Sequence, residues 1–377
     1  MRAFVFTDPT LRRDAGRFVW LSINTEKATN ADFLKKFPVQ VWPSMYVIDP
    51  KTEKVALRWV GGATVPQLQK LFGDAEQAVR GKQTGVDEIL ARADALYGEG
   101  KNAEAAKLYE EALSKAPKDW PRYGRAVESL LFALASTDSH EQCATLARDH
   151  YPALKDSSSA ANVAASGLDC ALSLPEKNEY RKPLVEELER DALDALGNDK
   201  APMAADDRSS LYSTLVEARQ SAKDEAGARR LEEEWASFLE KQAAAGKSPD
   251  ARAVFDSHRV AVYLMLKEPE RGLPMLEASE RDLPSDYNPP ARLAVIYKAL
   301  KRYDDALAAS DRALRKVYGP RKVGVLQTRA DIYKEKGDLA KAKETVQEAI
   351  LFAESLPAGQ RSDRQIASLK KKLEGMS

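Results

Sequence analysis

The sequence has few of the residue types that most often carry chemistry in proteins. Its 377 residues include 2 Cys and 3 His. Two cysteines are too few for a disulfide-built scaffold or a cysteine-rich zinc module, and three scattered histidines exclude a histidine-rich metal site. The sequence also lacks a Gly-x-Ser-x-Gly motif, a His-Glu-x-x-His motif and a glycine-rich phosphate loop. We therefore predict no catalytic residues, no metal and no cofactor.

An excess of either charge is also lacking. The chain has 58 Lys+Arg against 58 Asp+Glu, for a formal net charge of +0. A dedicated binder of nucleic acid or of anionic membranes needs a basic excess, so neither partner is expected. With 44% hydrophobic and 31% charged residues, the composition is typical of a globular protein that is long enough to bury a core.

Long hydrophobic runs are missing as well. No window approaches 18 uncharged apolar residues, so the sequence predicts no transmembrane helix. The first residues carry an apolar run that is too short for a signal peptide and that is followed closely by Asp8. On this evidence the chain, as written, is expected to stay in the cytoplasm.

The residues that are present change in character near residue 81. Residues 1–80 are rich in aromatic and β-forming residues and predict the order strand, helix, strand, strand, helix. The predicted elements are Phe18–Ile23, Asn30–Phe37, Met45–Ile48, Val55–Val60 and Val65–Val79. Asn30 is expected to cap its helix, a turn over 49–52 makes the middle strands a hairpin, and 81–85 form a polar linker.

Residues 86–377 are Ala- and Leu-rich, heavily charged and helical almost throughout by periodicity. Loop signals recur at helix-length intervals, which predicts antiparallel helix pairs. Small residues recur twelve and then seven positions apart in four sets, and the last three sets are offset by 34 and then 36 residues. These sets are Ala93, Ala105 and Ala112; Val260, Gly272 and Ser279; Ala294, Ala306 and Ala313; and Ala330, Ala342 and Ala349. Small side chains at these positions let neighbouring helices approach closely.

This period resembles the tetratricopeptide repeat, a helix–turn–helix unit of 34 residues. The resemblance is clearest over 86–119 and 253–356, where Lys101–Leu113 and Tyr303–Leu314 are similar to the second helix of the repeat. It implies a mainly α fold, a solenoid of about seven helix pairs over 86–377. Stacked helix pairs create a long concave face, and the expected partner is a protein or peptide on that face.

Between about 120 and 250 the alanine register is lost, although helical periodicity persists. The helices predicted there cover 123–136, 141–150, 158–174, 179–196, 209–222 and 227–243. We interpret them as divergent pairs of the same solenoid. A last helix, Asp363–Glu374, has a lysine-rich polar face and is expected to cap the array, as open solenoids require.

Residues 1–80 resemble part of the thioredoxin fold. The most specific element is Val39-x-x-Trp42-Pro43-Ser44, which is similar to the family's entry into its fourth strand, with Ser44 where Thr is usual. In that family the proline is cis and its backbone pairs with a bound peptide. The resemblance therefore implies a peptide groove at Trp42, Pro43 and Ser44.

The family's Cys-x-x-Cys motif is absent from this sequence. Met1–Pro9 resembles the end of the helix that carries the motif, and the central strand before that helix is missing. One hypothesis is that the natural protein begins upstream of Met1 with a redox motif and an export signal, which would make it periplasmic or secreted. In the alternative, Ala3–Phe6 is simply a strand of a minimal α/β domain.

The two cysteines lie elsewhere. Cys143 and Cys170 are 27 positions apart on different predicted helices. They are expected to be buried as small hydrophobic residues, and a disulfide between them stays open. His140 and His150 flank Cys143, but their number and spacing do not favour a metal site.

These observations favour a non-catalytic scaffold for protein–protein interaction that carries a redox-inactive thioredoxin-like segment. The alternative is a truncated thiol-disulfide oxidoreductase, and a third possibility is a peptide holder that pairs with partners through its open sheet edge. Chaperone-binding tetratricopeptide domains hold a C-terminal carboxylate with Lys, Arg and Asn. The matching inner positions here are Asp87, Leu90, Asp94, Gln327 and Asp331, so a chaperone-tail binder is disfavoured.

Overall fold

The computed structural model describes residues 5–39, 41–81 and 84–376, and the chain divides into two compact units. The first unit contains Met1–Val19 and Phe37–Trp235. The second contains Trp20–Lys36 and Ala236–Ser377. The domain boundary that composition places near residue 81 stays a prediction.

The N-terminal region begins with short helical turns. Two 3₁₀ helices, Pro9–Asp14 and Ala28–Asn30, precede the first α-helix, α1, at Ala31–Lys36. The predicted helix is thus present, and the Asn30 side chain donates to the backbone carbonyl of Asn24. Its role as the cap of α1 stays a prediction. The Asn24 carboxamide oxygen in turn accepts from the Glu26 amide, so this stretch is a self-bonded turn.

The strand predicted at Phe18–Ile23 is not formed. Residues 19–24 have no regular secondary structure, and Val19 and Leu21 are 89% and 72% exposed. An apolar run becomes a strand only where a neighbouring strand satisfies its backbone groups. Residues 1–4 lie outside the described residues, so the predictions for Met1–Pro9 and Ala3–Phe6 are only partly covered; residues 5–7 form a turn.

The predicted hairpin is confirmed. Strands β1 (Ser44–Ile48) and β2 (Val55–Val60) pair antiparallel, with Met45 opposite Trp59. Within the described residues the sheet has these two strands, so a thioredoxin-like half-fold is not shown in this region. Asp49 closes the turn by accepting from the amide of Lys51.

Helix α2 (Val65–Val79) follows with its predicted bounds. Thr64 and Gln67 form a capping box at its start. Its buried face, with Leu68 and Phe72, packs on Leu57 of β2. Because β2 also contacts α3, the strand lies between two helices.

The rest of the first unit is a series of helix pairs. Its helices are α3 (Val86–Gly98), α4 (Asn102–Lys115), α5 (Tyr123–Ala135), α6 (His140–Leu154), α7 (Ala160–Leu172), α8 (Arg181–Gly197), α9 (Ala205–Ser221) and α10 (Glu225–Ala245), which runs past the unit boundary at Trp235. Every helix predicted between 120 and 250 is present with small shifts in its ends. Part of the predicted linker, residues 82 and 83, lies outside the described residues.

The two cysteines are both buried and bonded. Cys143 on α6 and Cys170 on α7 are 0% and 1% exposed, and their Sγ atoms are 2.11 Å apart. The expectation of burial is confirmed, and the open question of a disulfide is resolved in its favour. The bond links two helices that already pack closely against each other.

The second unit continues the helix pairs. Its helices are α11 (Pro249–Ala253), α12 (Asp256–Met265), α13 (Gly272–Asp282), α14 (Asn288–Ala299), α15 (Tyr303–Leu314), α16 (Arg321–Lys336), α17 (Leu339–Ser355) and α18 (Asp363–Glu374), and a 3₁₀ helix lies at Pro269–Arg271. Short α11 is not predicted by the periodicity. Helix α18 has the predicted bounds and packs on α17 through Ile366 and Leu369.

The repeating small residues have the predicted role. Ala93, Ala105 and Ala112 in the first unit are 0% exposed. In the second unit Ala306 and Ala342 are equally buried, and each lies in the core shared by neighbouring pairs. The fold is therefore mainly α, a repeat solenoid of helix pairs with a small two-stranded sheet near its N-terminus.

Candidate functional site

The predicted peptide groove at Trp42, Pro43 and Ser44 lies at the entrance to β1. The Trp42–Pro43 peptide bond is cis, and the Trp42 side chain is 55% exposed. The Pro43 carbonyl accepts from the amide of Gly61, and the Ser44 hydroxyl donates to the Val41 carbonyl at 2.7 Å. The three residues thus begin the hairpin and carry an exposed indole; their role in binding stays a prediction.

Strand β1 is an edge strand among the described residues, because β2 is its one partner there. The Pro43–Gly61 bond places Met45 and Val47 in hydrogen-bonded pairs with β2. Ser44 and Tyr46 then direct their backbone groups away from β2, since the two directions alternate along a strand. Such an edge is able to accept another extended segment.

The inner side of α3, where a repeat ligand was expected, is covered by the chain itself. The inner residues Leu90, Asp94 and Tyr97 are 1%, 1% and 2% exposed. The buried guanidinium of Arg58 on β2 donates to the Tyr97 carbonyl at 2.7 Å and lies 3.9 Å from the centre of its ring. The β2 strand therefore covers the inner side of α3.

Ion pairs also connect α2 to α3 and to the start of α5. Arg122, which immediately precedes α5, contacts Asp74 of α2 at 2.7 Å and Asp87 of α3 at 2.8 Å. The Trp120 indole also donates to Asp87. These side chains join α2, α3 and α5 by polar contacts that are largely removed from water, where charge-assisted bonds are strong.

Deeper on the same side, Arg125 of α5 contacts Asp94 at 2.7 Å, and Asp94 accepts from the Tyr109 hydroxyl at 2.8 Å. Burial raises the pKa of the Asp94 carboxyl, and the Arg125 charge opposes that shift. The pair is a structural contact between α3 and α5, not an accessible charge.

Two further acids are buried near this contact. Burial raises the pKa of Glu128 on α5 to about 8, and Asn162 of α7 donates to its carboxyl at 2.9 Å. Burial and neighbouring Asp206 raise the pKa of Asp207 on α9 to about 7. A side-chain carbon placed on Gly62 would lie 2.9 Å from the Asp207 carboxyl, so the loop after β2 reaches α9. A cavity of about 10 Å³ beside Glu128 has room for roughly one water.

The first helices of the pairs are accessible in the second unit. Helix α14 contacts both α12 and α16. Across these three helices run half-exposed or exposed residues, mostly apolar or small, which we name the open face: Ala261, Met265, Val295, Ala299 and Gln327.

Charged pairs border the open face. Lys298 of α14 contacts Glu335 of α16 at 2.8 Å, and Lys372 of α18 contacts Asp331 of α16 at 2.6 Å. The charged side chains at these inner positions are thus already paired with other side chains of the same protein. The open face therefore combines an apolar centre with a paired, polar rim.

Metal binding and membrane insertion find no support in the described ranges. No group of three or more His, Cys, Asp or Glu side chains there is placed to hold a metal ion. The His150 ring contacts the Tyr123 hydroxyl at 2.5 Å, and burial lowers its pKa. No helix in the same ranges has an apolar stretch of the length that a bilayer crossing needs.

Sequence reasoning missed the covered side of the first unit. Arg58 alternates with apolar neighbours in β2 and has the pattern of a solvent-facing strand residue. The sequence does carry one signal, a pattern of opposite charges. Asp87 and Asp94 occupy inner positions in the first repeat. Arg122 and Arg125 follow before the next helix pair is complete. Complementary charges on successive inner positions indicate a face that is closed on itself.

Comparison with known proteins agrees with the repeat. Residues 323–355, which cover most of α16 and α17, match the family model of the tetratricopeptide repeat. No curated protein matches the chain. Similar solved structures include a tetratricopeptide repeat protein from Parabacteroides merdae, with 11% identity over 77% of this chain and 98% of that chain and a TM-score of 0.49. PilF of Pseudomonas aeruginosa has 14% identity over 66% and 97% of the two chains, with a TM-score of 0.36. Residues 323–355 are thus similar to a tetratricopeptide repeat, and they lie within a fold built from helix pairs.

Proposed function

We propose that this protein is a non-catalytic scaffold that binds a partner protein through the open face of its second unit. The observation that carries the proposal is a contrast between the two units. The inner side of α3 is buried under β2, whereas Met265 and Ala299 on the corresponding helices of the second unit are exposed. Accessible apolar side chains on adjacent helices are typical of protein-binding surfaces.

The chemistry of the open face favours an amphipathic segment as the partner's contact. Val295 and Ala261 lie near its centre, and the charges around them are already paired within the chain. A partner with a line of apolar side chains would remove this centre from water without leaving a buried charge unpaired.

Site-specific photo-cross-linking tests the proposal. A photoreactive phenylalanine analogue at Ala299 is expected to capture a defined partner in the cells that make the protein. The matched control has the same analogue at Leu351 of α17, which is 68% exposed and lies on a second helix. The substitution Val295→Glu should reduce capture from position 299 by about tenfold, because a charge in the apolar centre costs at least 1.4 kcal/mol of binding energy. Equal capture from both positions would contradict the proposal.

A second candidate function concerns Trp42, Pro43 and Ser44. We propose that an extended peptide pairs with the outer edge of β1 and packs on the Trp42 indole. The exposed indole and the accessible strand edge support this function. The expected result is that Trp42→Glu weakens binding of an extended peptide while the urea midpoint is unchanged. Tyr180→Glu, at an aromatic residue that is 52% exposed, is the control.

The described residues add no support to the truncated-oxidoreductase alternative. The sheet there has two strands, and Cys143 and Cys170 are bonded to each other between α6 and α7. An insulin-reduction assay on this chain tests that alternative directly, and turnover of insulin disulfides would revive it.

A further inference from the structure

Residues 20–36 pack with the second unit although their sequence neighbours on both sides belong to the first. Residues 28–36 of this segment form a 3₁₀ turn and α1, whereas residues 20–27 have no helix or strand. Such a segment has little core of its own. Its position is therefore set by the contacts it makes to the surface beneath it.

One of these contacts recognises a carboxylate. The Tyr287 hydroxyl donates to Glu26 Oε1 at 3.1 Å, and Arg321 Nε donates to the same oxygen at 3.2 Å. Tyr287 immediately precedes α14, and Arg321 is the first residue of α16. The Glu26 side chain is 20% exposed, so most of its charge is removed from water and is met by these donors. Two donors on one carboxylate oxygen, one of them charged, make a directional contact.

Other contacts recognise the backbone. The carboxamide of Gln360 donates to the carbonyls of Thr25 and Lys27 at 2.8 and 3.0 Å, on either side of Glu26. Gln360 is 9% exposed, and its Oε1 is buried without a hydrogen-bond partner among the described residues. Gln360 lies in the loop before α18, so residues at the starts of α14 and α16 and in the loop before α18 all contact the same short segment.

The shape of this surface admits a backbone. A Cβ atom at Gly319 would lie 1.9 Å from the Glu26 carbonyl oxygen, and φ at Gly319 is +59°. Only glycine allows both the approach and the conformation. The Asn24 carboxamide closes this end of the segment by donating to the Tyr318 hydroxyl at 2.8 Å.

We propose that the loops before α14, α16 and α18 form a recognition site for a peptide that carries a glutamate in a turn, and that residues 24–27 are its built-in occupant. The site combines a carboxylate contact with two contacts to main-chain carbonyls, so it selects both the acidic side chain and the backbone on either side of it. The occupant is covalently attached, so its effective concentration of about a millimolar keeps weaker competitors out. A separate peptide of the same chemistry replaces residues 24–27 once the contact of Glu26 with Tyr287 and Arg321 has been removed.

This site is separate from the open face, because it uses loop residues rather than the inner sides of α12, α14 and α16. The proposal therefore stands or fails independently of the function proposed above. It is tested with the full chain and a labelled peptide of residues 20–36, in measurements of fluorescence anisotropy.

The variant Glu26→Ala is expected to bind the labelled peptide at least about tenfold more tightly than the unchanged chain. The contact of Glu26 with Tyr287 and Arg321 then no longer holds the built-in segment in place. Adding Gln360→Ala or Arg321→Ala to that variant should weaken peptide binding by about tenfold again. A peptide with Glu26→Gln should bind poorly. Glu344→Ala, which removes an exposed charge on α17, is the matched control and should behave like the unchanged chain.

Hydrogen exchange separates displacement from unfolding. In Glu26→Ala the amides of residues 20–36 should exchange faster, while those of α14 and α16 keep their protection. Failure of the peptide to bind Glu26→Ala, or equal binding of the Glu and Gln peptides, would overturn the proposal.

Discussion

The Arg125 guanidinium of α5 lies 2.7 Å from the Asp94 carboxylate of α3, and both side chains are removed from water, at 10% and 1% exposure. This pair links the first repeat to the next in the region where β2 and α2 cover the inner side of α3. Its burial explains why the charge at an inner position of the first repeat is not available to a ligand.

The substitution Asp94→Ala is expected to destabilise the first unit by about 3 kcal/mol, because it removes the nearer carboxylate from buried Arg125 and leaves only Asp74, at 4.0 Å. Urea unfolding followed by circular dichroism measures the change. Glu111→Ala is the matched control, since the Glu111–Lys115 pair is exposed on both sides. No change in the midpoint is expected for the control, and an equal loss in both variants would contradict the assignment.

The pH dependence of stability depends on Glu128. Burial raises its pKa from 4.5 to about 8, so the folded state holds a proton that the unfolded state releases. Its contribution to stability is present below pH 4.5 and is lost as pH rises towards 8. The groups that face it are Ser159, Asn162, Asp207 and Arg125. Burial raises the pKa of Asp207 as well.

Glu128→Gln keeps the shape of the neutral carboxyl but does not titrate. The free energy of unfolding of this variant should therefore be higher than that of the unchanged chain. The difference should grow as pH rises from 5 to 8.5 and reach about 4 kcal/mol at pH 8.5. Urea unfolding at these two values measures the difference. Parallel pH profiles for the two proteins would show that Glu128 titrates normally.

The elements that the sequence predicts well are those with local signals. The bounds of α2 and α18 agree with prediction because a capping residue and a 3.6-residue period define them within one segment. The failed strand at Phe18–Ile23 shows the limit. Its apolar run is strand-like, but a strand also depends on partners that are distant in sequence, and the described sheet provides none.

Contacts between distant segments account for the rest. That Arg58 would be buried against Tyr97, or that Glu26 would contact Tyr287 and Arg321, depends on which surfaces meet. A single sequence carries no such information, since each of these residues has an ordinary local pattern. The predicted interaction at Trp42 stays a prediction for the same reason.

The disulfide provides a third test. Closing a loop between Cys143 and Cys170, which are 27 positions apart, restricts the unfolded chain and stabilises the fold by about 3.5 kcal/mol in the chain-entropy account. The double variant Cys143→Ala and Cys170→Ala should therefore have a lower urea midpoint than the oxidised chain. Dithiothreitol should lower the midpoint of the unchanged chain and leave that of the double variant unaffected. The bond would be contradicted if the unchanged chain, denatured without any reductant, reacted with two equivalents of a thiol reagent.

The covering of α3 by the hairpin is tested by two glycines in helices. A Cβ atom at Gly98 of α3 would lie 2.7 Å from Val55 of β2, whereas nothing lies within 4 Å of one at Gly73 of α2. Gly98→Ala should therefore push the hairpin away from α3 and destabilise the first unit by about 1–3 kcal/mol. Gly73→Ala should stabilise it by roughly 0.5–1 kcal/mol, because alanine restricts the unfolded chain and favours the helix. Hydrogen exchange should show faster exchange of the β2 amides in Gly98→Ala alone. If both variants were equally stable, with β2 equally protected, the hairpin would not rest on α3.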